Sequence, residues 1–230
     1  MGAMQGTDAL ARIALFEGLP RSELSRLLEH LHERPFPAGA NVLIAEQPGE
    51  AVYVILSGSV KVNAIRPDGT EVVLAVLGAG EVLGEMSAAD SLGRSASVVT
   101  LEETNLLWMD RRTFSASVAT STILSRNLGE VLSRRVRLAN ARLISLASLD
   151  VPGRVASQLL SLAREYGQET PEGTRIPMRL TQADLAAFVG ASRVSVNQAL
   201  GQFRKRGAIS TGKDGRVSVH DEDTLARRAR

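Results

Sequence analysis

Cysteine is absent from the 230 residues. That removes disulfides, thiolate nucleophiles, zinc–thiolate sites and iron–sulfur clusters together. Histidine is scarce: only His30, His32 and His220 occur, little material for a metal centre or a catalytic triad. His30 and His32 read as the solvated end of a helix, because no third ligand lies near them in sequence. No stretch approaches the roughly 18 consecutive apolar residues of a membrane span. The opening MGAMQGTDALAR lacks the basic start and apolar core of a secretion signal, so a cytoplasmic location with no membrane partner is expected. What remains is ordinary: 44% hydrophobic and 23% charged residues, enough for a packed core, in a length suited to one large or two ordinary domains.

The net charge of +2 conceals a division. Residues 1–110 carry 7 Arg and Lys against 15 Asp and Glu, residues 111–150 carry 7 against 2, and residues 151–230 carry 13 against 8. An acidic front and a basic back suggest that only the back meets a polyanion.

Leu10, Ile13, Ala14, Leu24, Leu27, Leu28 and Leu31 recur at helical spacing over residues 8–33, broken at LFEGLP. From Pro35 to Asp110 the pattern changes. Gly39, Gly49, Gly58, Gly69 and Gly80 punctuate short apolar or alternating runs, the signature of an antiparallel sandwich or barrel. Pro67-Asp68-Gly69 is a strong hairpin turn, and Trp108 reads as core. A long helix is expected over 111–149, with an apolar stripe from Leu124 through Leu128, Val131, Val136 and Leu143 to Leu146. Such a stripe packs either on its own β-domain or on a second copy of itself; its length favours the second copy.

Within the β-rich part, Gly84–Ser97 (GEMSAADSLGRSAS) draws attention. Glu85 can accept hydrogen bonds from a ribose, Arg94 can fork onto phosphate oxygens, and Ser95 adds a hydroxyl. A helical turn over Ser87–Ser91 would add free N–H groups. The same residues also fit a plain turn with a surface ion pair.

Asp150 reads as an N-cap with Pro152 in the first turn of a helix over 154–167, followed by a turn-rich loop over 167–174 and a strand near IPMRL. Thr181 caps LTQADLAAFVG, Gly190-Ala191-Ser192 turns, and Arg193–Arg206 forms a second helix: a helix-turn-helix pattern. Leu185, Ala186, Val189, Val196, Leu200 and Phe203 pin the pair together. That leaves Ser192, Arg193, Ser195, Asn197, Gln198 and Gln202 outside, with Arg, Asn and Gln able to read base edges. AISTGKDGRVSV alternates around Asp214-Gly215 as a wing, with Lys213 and Arg216 placed for phosphates. An αα-hairpin packed on its own domain is the competing view; the basic charge, exposed amides and wing argue against it.

The order of β-roll, long helix and winged helix-turn-helix resembles the cAMP receptor protein/fumarate-nitrate regulator (CRP/FNR) family of bacterial transcription factors. LSGSVKV, GEMS, RSAS, LDVPGRVA and LTQADLAAFVGASRVSV carry the resemblance. It implies an α+β chain divided into a jelly-roll-like cyclic-nucleotide-binding β-roll with N-terminal helices (8–110), a dimerisation helix and hinge (111–149), and a winged helix-turn-helix domain (150–230). It further implies a cAMP site formed by Gly84, Glu85, Met86, Ser87, Arg94 and Ser95, joined by Asn140 on the long helix. Thr181, Ser192, Arg193, Ser195, Asn197, Gln198, Lys213 and Arg216 are the implied DNA contacts. Double-stranded DNA carrying a pseudo-palindrome, a second copy of the chain and RNA polymerase are the implied partners.

Where cAMP receptor proteins carry a Thr-Ser pair toward the purine, this chain has Ala139-Asn140. Val194 and Gln198 stand where the recognition helix usually has glutamate and a second arginine, so the sequence read is expected to differ there. The missing cysteines exclude the family's iron–sulfur branch. A haem branch is disfavoured because no histidine is expected in the β-roll or the long helix. With residues 111–230 taken up by a helix and a DNA-binding domain, no catalytic set remains for an enzyme.

Overall fold

The computed structural model describes residues 6–90 and 93–230. Ser91 and Leu92, inside the expected binding turn, lie outside the described residues. The chain divides into two compact units: residues up to Ala64 with Ala75–Val136, and Ile65–Leu74 with Arg137–Arg230.

In the first unit, α1 (Thr7–Leu10), a 3₁₀ turn (Ala14–Phe16) and α2 (Arg21–His30) precede the strands. The expected helical stretch stops short, because the chain enters β1 (His32–Phe36) directly. His32 therefore opens a strand, its ring 5.1 Å from that of Trp108 and tilted 46° to it. This corrects the expectation that the β-roll holds no histidine. The other strands are β2 (Asn41–Leu43), β3 (Ala51–Ser57), β4 (Ser59–Ile65), β5 (Glu71–Gly78), β6 (Val82–Leu83), β7 (Ser97–Thr100) and β8 (Thr104–Asp110), with α3 (Glu85–Asp90) between β6 and β7.

They form two four-stranded sheets, ordered β1-β8-β3-β6 and β2-β7-β4-β5. Alternation along β3 explains the layering. Ile55 joins Phe36, Val60, Leu77, Val98 and Leu106 in one core cluster. Val52 and Val54 point to a second cluster with Phe16, Leu107, Met109 and Phe114. Burying each such side chain stabilises the fold by about 1.5–3 kcal/mol.

The single helix expected over 111–149 is two. Asp110 caps α4 (Arg111–Thr120) by accepting from the Thr113 amide at 2.9 Å, and α5 (Thr122–Ser148) follows. Between them Ser121 is extended, and its hydroxyl accepts from the Leu124 amide at 3.4 Å. Ser117 and Thr120 bond back to the carbonyls of Thr113 and Ala116, a habit that competes with helix continuation. The apolar stripe also divides. Leu124, Leu128 and Val131 are buried in the core of the first unit, whereas Val136, Leu143 and Ile144 are 58%, 64% and 67% exposed.

In the second unit Asp150 caps α6 (Val151–Tyr166) by accepting from the Gly153 amide, with proline in the first turn. The expected loop at 167–174 is instead a hairpin of β9 (Gln168–Thr170) and β10 (Gly173–Arg175). No strand forms at IPMRL: β12 (Val217–Val219) pairs with Thr174 and Arg175, and the ladder ends with the Ile176 amide on the Val217 carbonyl at 2.9 Å. Ile176 and Met178 are buried beside it. Then come α7 (Gln182–Val189), α8 (Arg193–Lys205) and β11 (Ile209–Thr211), which pairs with β12 as the expected wing. A last helix, α9 (Glu222–Arg228), was not foreseen; Asp221 caps it and Leu225 anchors it, fully buried.

Candidate nucleotide pocket and DNA-reading face

The turn from β6 into α3 brings the sequence motif together. Glu85 and Arg94 are only 4% and 7% exposed, so the surface ion pair considered above does not form. Arg94 donates to the carbonyls of Gly84 at 3.1 Å and Ala51 at 2.6 Å. Its approach depends on Gly84, whose φ is +80° and where a β-carbon would stand 2.4 Å from the guanidinium. Burial pulls the Arg94 charge toward neutrality, and Tyr53 and Glu85 oppose it. Ser87 is buried with its hydroxyl 3.4 Å from the Gly93 carbonyl, whereas Ser95 is exposed and lies 3.8 Å from the Met86 sulfur. The helical turn begins at Glu85, two residues before the expected Ser87.

The sequence reading missed the other half of this constellation. Arg135 on α5 donates to a Glu85 carboxylate oxygen at 2.7 Å, to Glu81 at 3.0 Å and to the Val82 carbonyl. Arg134 also reaches Glu81. Burial pushes the Glu81 carboxyl up, but the bond from Arg134 and the charges of Arg135 and Arg134 outweigh it, leaving the group below its ordinary value. The Arg134-Arg135 pair was visible as part of the basic back; what hid it was its partner, some 50 residues away in sequence. Three guanidiniums and two carboxylates thus meet at one end of the β-roll, a balance suited to a ligand with hydroxyls and one phosphate charge. Asn140 is exposed on α5.

In the second unit a complete capping box fixes the start of α7: Thr181 accepts from the Asp184 amide and Asp184 returns the bond. Ser192 caps α8 through the Ser195 amide at 3.1 Å, with the two hydroxyls 2.9 Å apart. Asn197 accepts from Gln182 at 3.2 Å. Thr181, Ser192, Ser195 and Asn197 are thus partly engaged in holding the helices. Arg193, Val194 and Gln198 are exposed, and no side-chain hydrogen bond involves them among the described residues.

On the wing, Lys213 is exposed. Arg216, expected beside it for phosphates, donates to the Pro177 carbonyl and to Asp214. The wing's turn needs that brace, since Asp214 also holds Arg175.

A largely buried, arginine-rich cluster in a β-roll and an exposed helix-turn-helix face fit a ligand-binding DNA-binding regulator. Residues 33–121 match the family described as "Cyclic nucleotide-binding domain", and residues 153–228 the "Crp-like helix-turn-helix domain". The chain is 40% identical over 97% of its length, and 99% of the relative's, to the "CRP-like cAMP-activated global transcriptional regulator" of Mycobacterium tuberculosis. It is 33% identical over 92% of its length, and 94% of the relative's, to the "Cyclic AMP receptor protein" of Thermus thermophilus. A solved structure of the "c-di-GMP Responsive Global Regulator CLP" from Xanthomonas campestris superposes with a TM-score of 0.71 at 27% identity, covering 87% of this chain and 99% of that one. The chain belongs to the CRP/FNR family of transcriptional regulators. Its relatives are regulators, not enzymes, and its helix-turn-helix domain is a DNA-binding one. No described helix is long and apolar enough to cross a membrane.

Proposed function

We propose that the chain is a cytoplasmic, cAMP-responsive, homodimeric regulator that reads a pseudo-palindromic operator and works with RNA polymerase. The single observation that carries the ligand reading is the buried juxtaposition of Glu85 and Arg94 with Arg135. A ribose hydroxyl donates to Glu85, the cyclic phosphate accepts from Arg94 and Ser95, and Arg135 orients the carboxylate. Removing the phosphate charge from water is costly, and the guanidinium fork offsets that cost. Asn140 offers a donor and an acceptor for a purine edge. The exposed C-terminal half of α5 supports the homodimer: Val136, Leu143 and Ile144 face solvent, and a second copy of the same helix buries them.

Nucleotide binding then biases how each helix-turn-helix domain pivots near Asp150–Gly153. Moving that equilibrium from 1:99 to 99:1 takes about 5.5 kcal/mol of differential binding, which phosphate, ribose and base contacts supply together. In the competent posture the two recognition helices enter major grooves one helical turn apart. Calorimetry with cAMP, followed by DNA binding with and without it, tests the reading. Absence of cAMP binding with intact DNA binding would overturn the ligand assignment.

A second reading, a regulator of the same fold answering another nucleotide or none, is favoured by one observation: Ala139 replaces a hydroxyl at the base end. The CLP relative is named for c-di-GMP. Titrating cAMP, cGMP and c-di-GMP in parallel separates the two.

A further inference from the structure

α7 ends where helix carbonyls lose their intrahelical partners and gather partial negative charge. Two arginines take those carbonyls. Arg154 on α6 donates to Val189 at 3.0 Å and Gly190 at 3.2 Å, besides Leu149. Arg142 on α5 donates to Phe188 at 2.6 Å and lays its guanidinium 4.2 Å over the Phe188 ring. Arg142 also reaches the carbonyls of Val73 and Leu74, in the part of β5 that belongs to the same unit as Arg142.

The two caps differ in origin. Arg154 belongs to the DNA-binding fold itself, packed beside Val155 and Ala156. Arg142 comes from the other side of the joint, where only Leu149 and Asp150 separate α5 from α6. Two non-helical residues leave many backbone dihedrals open, and such short joints act as pivots. A contact made seven residues before that joint closes a small ring of structure, α5–joint–α6–α7–Arg142, and the joint can then no longer swing freely.

The Arg142 contact is costly, which argues for a role beyond stability. No carboxylate pairs with Arg142 among the described residues, its Nε has no hydrogen-bond partner there, and burial pulls its pKa down to about 10. With the contact made, Arg193, Val194 and Gln198 on α8 stand exposed, so the tie is compatible with reading DNA.

We infer that Arg142 is a positioning residue: it ties the end of α7 to α5 and so fixes the angle at which α8 is presented to DNA. This rests on the DNA-reading part of the proposed function, not on the identity of the ligand. It predicts a specific failure. Without Arg142 each helix-turn-helix still recognises its half-site, but the distance between two half-sites is no longer enforced.

The test uses the full chain and a selected operator, in one arm with cAMP and in another without it, on duplexes whose half-sites stand one helical turn apart or about half a turn further, some 5 base pairs. Wild type is expected to prefer the first by roughly tenfold or more, the scale of couplings between sites. Arg142→Met lowers that ratio toward one while affinity for a single half-site holds. Arg142→Lys, which keeps the charge and reaches fewer carbonyls, gives an intermediate ratio and serves if the methionine variant does not fold. Limited proteolysis at Leu149–Asp150, which does not depend on dimerisation, is expected to speed up in the variants. A spacing ratio and a cleavage rate both at wild-type values would overturn the inference. A wild type indifferent to spacing would instead count against the dimeric reading, and the cleavage rate would then decide on Arg142.

Discussion

The two functional regions are built on opposite plans. In the β-roll the chemistry is internal: Glu85, Arg94 and Glu81 are each under 10% exposed, Arg94 donating to backbone carbonyls and both carboxylates accepting from Arg135. On the helix-turn-helix face the frame is internal but the chemistry is external: caps at Thr181 and Ser192 fix the helices, while Arg193 and Gln198 stand in solvent. Under the proposed function the difference follows from the ligands. A small anion must be stripped of water and surrounded, so its partners are prepaid in the fold. A duplex brings its own surface and excludes water as it docks, so free rotamers suffice.

This contrast can be broken from either side. The largest effect is expected at Arg94. Arg94→Leu deprives a buried phosphate of its fork, a loss of about 3–5 kcal/mol; calorimetric affinity for cAMP equal to wild type would sink the proposed site.

Glu81 comes next, and its effect depends on pH. Its folded carboxyl lies below the ordinary value of 4.5, so its contribution is complete above that pH and is lost as pH falls through the lower folded value. Glu81→Gln is expected to cost roughly 1–3 kcal/mol at neutral pH by leaving arginines underpaired. The gap in melting temperature between variant and wild type should close in acid. An equal gap at both pH values contradicts the assignment.

On the DNA side, Gln198→Ala is expected to relax preference at one base pair by roughly 1–3 kcal/mol; competition with operators substituted one position at a time reads this directly. Thr181→Ala removes one half of the capping box and about 1 kcal/mol of stability. It should lower chemical-denaturation midpoints without changing which sequence is preferred, and a changed preference would move Thr181 from frame to reader. Smallest is Lys213→Ala, expected to weaken all DNA alike and to lower the salt slope by about 0.9. Sequence-selective loss would argue against phosphate contact by the wing.

What could be read from the chain alone was local. The turn glycines, the Asp150 and Thr181 caps and the alternating strands announce themselves within a few residues, and so did Glu85 and Arg94. Pairings between distant segments did not. Arg135 meets Glu85 across 50 residues, and nothing near either marks the other. The division of the stripe on α5 was hidden for the same reason: Leu124 and Leu143 look alike in sequence, and only the presence of Phe16 and Phe114 around the first distinguishes them. The break at Ser121 was legible in principle, from three hydroxyl residues in a row, but the apolar periodicity on either side outweighed it. Arg216 illustrates a subtler limit: the pattern places it on the wing, but nothing near it announces its bond to the Pro177 carbonyl.

The split character of α5 also bears on quantity. Its first half is satisfied within one chain, so damage at Leu124 or Leu128 costs folding at any dilution. Its second half is satisfied by another molecule under the homodimer reading, so damage at Leu143 or Ile144 costs assembly and shows most when the protein is scarce. While most of the protein is still monomeric, the population of dimers rises with roughly the square of the total amount. Operator occupancy would then respond to the abundance of the regulator more steeply than to a single binding event, giving the cell a second control, set by synthesis rather than by ligand.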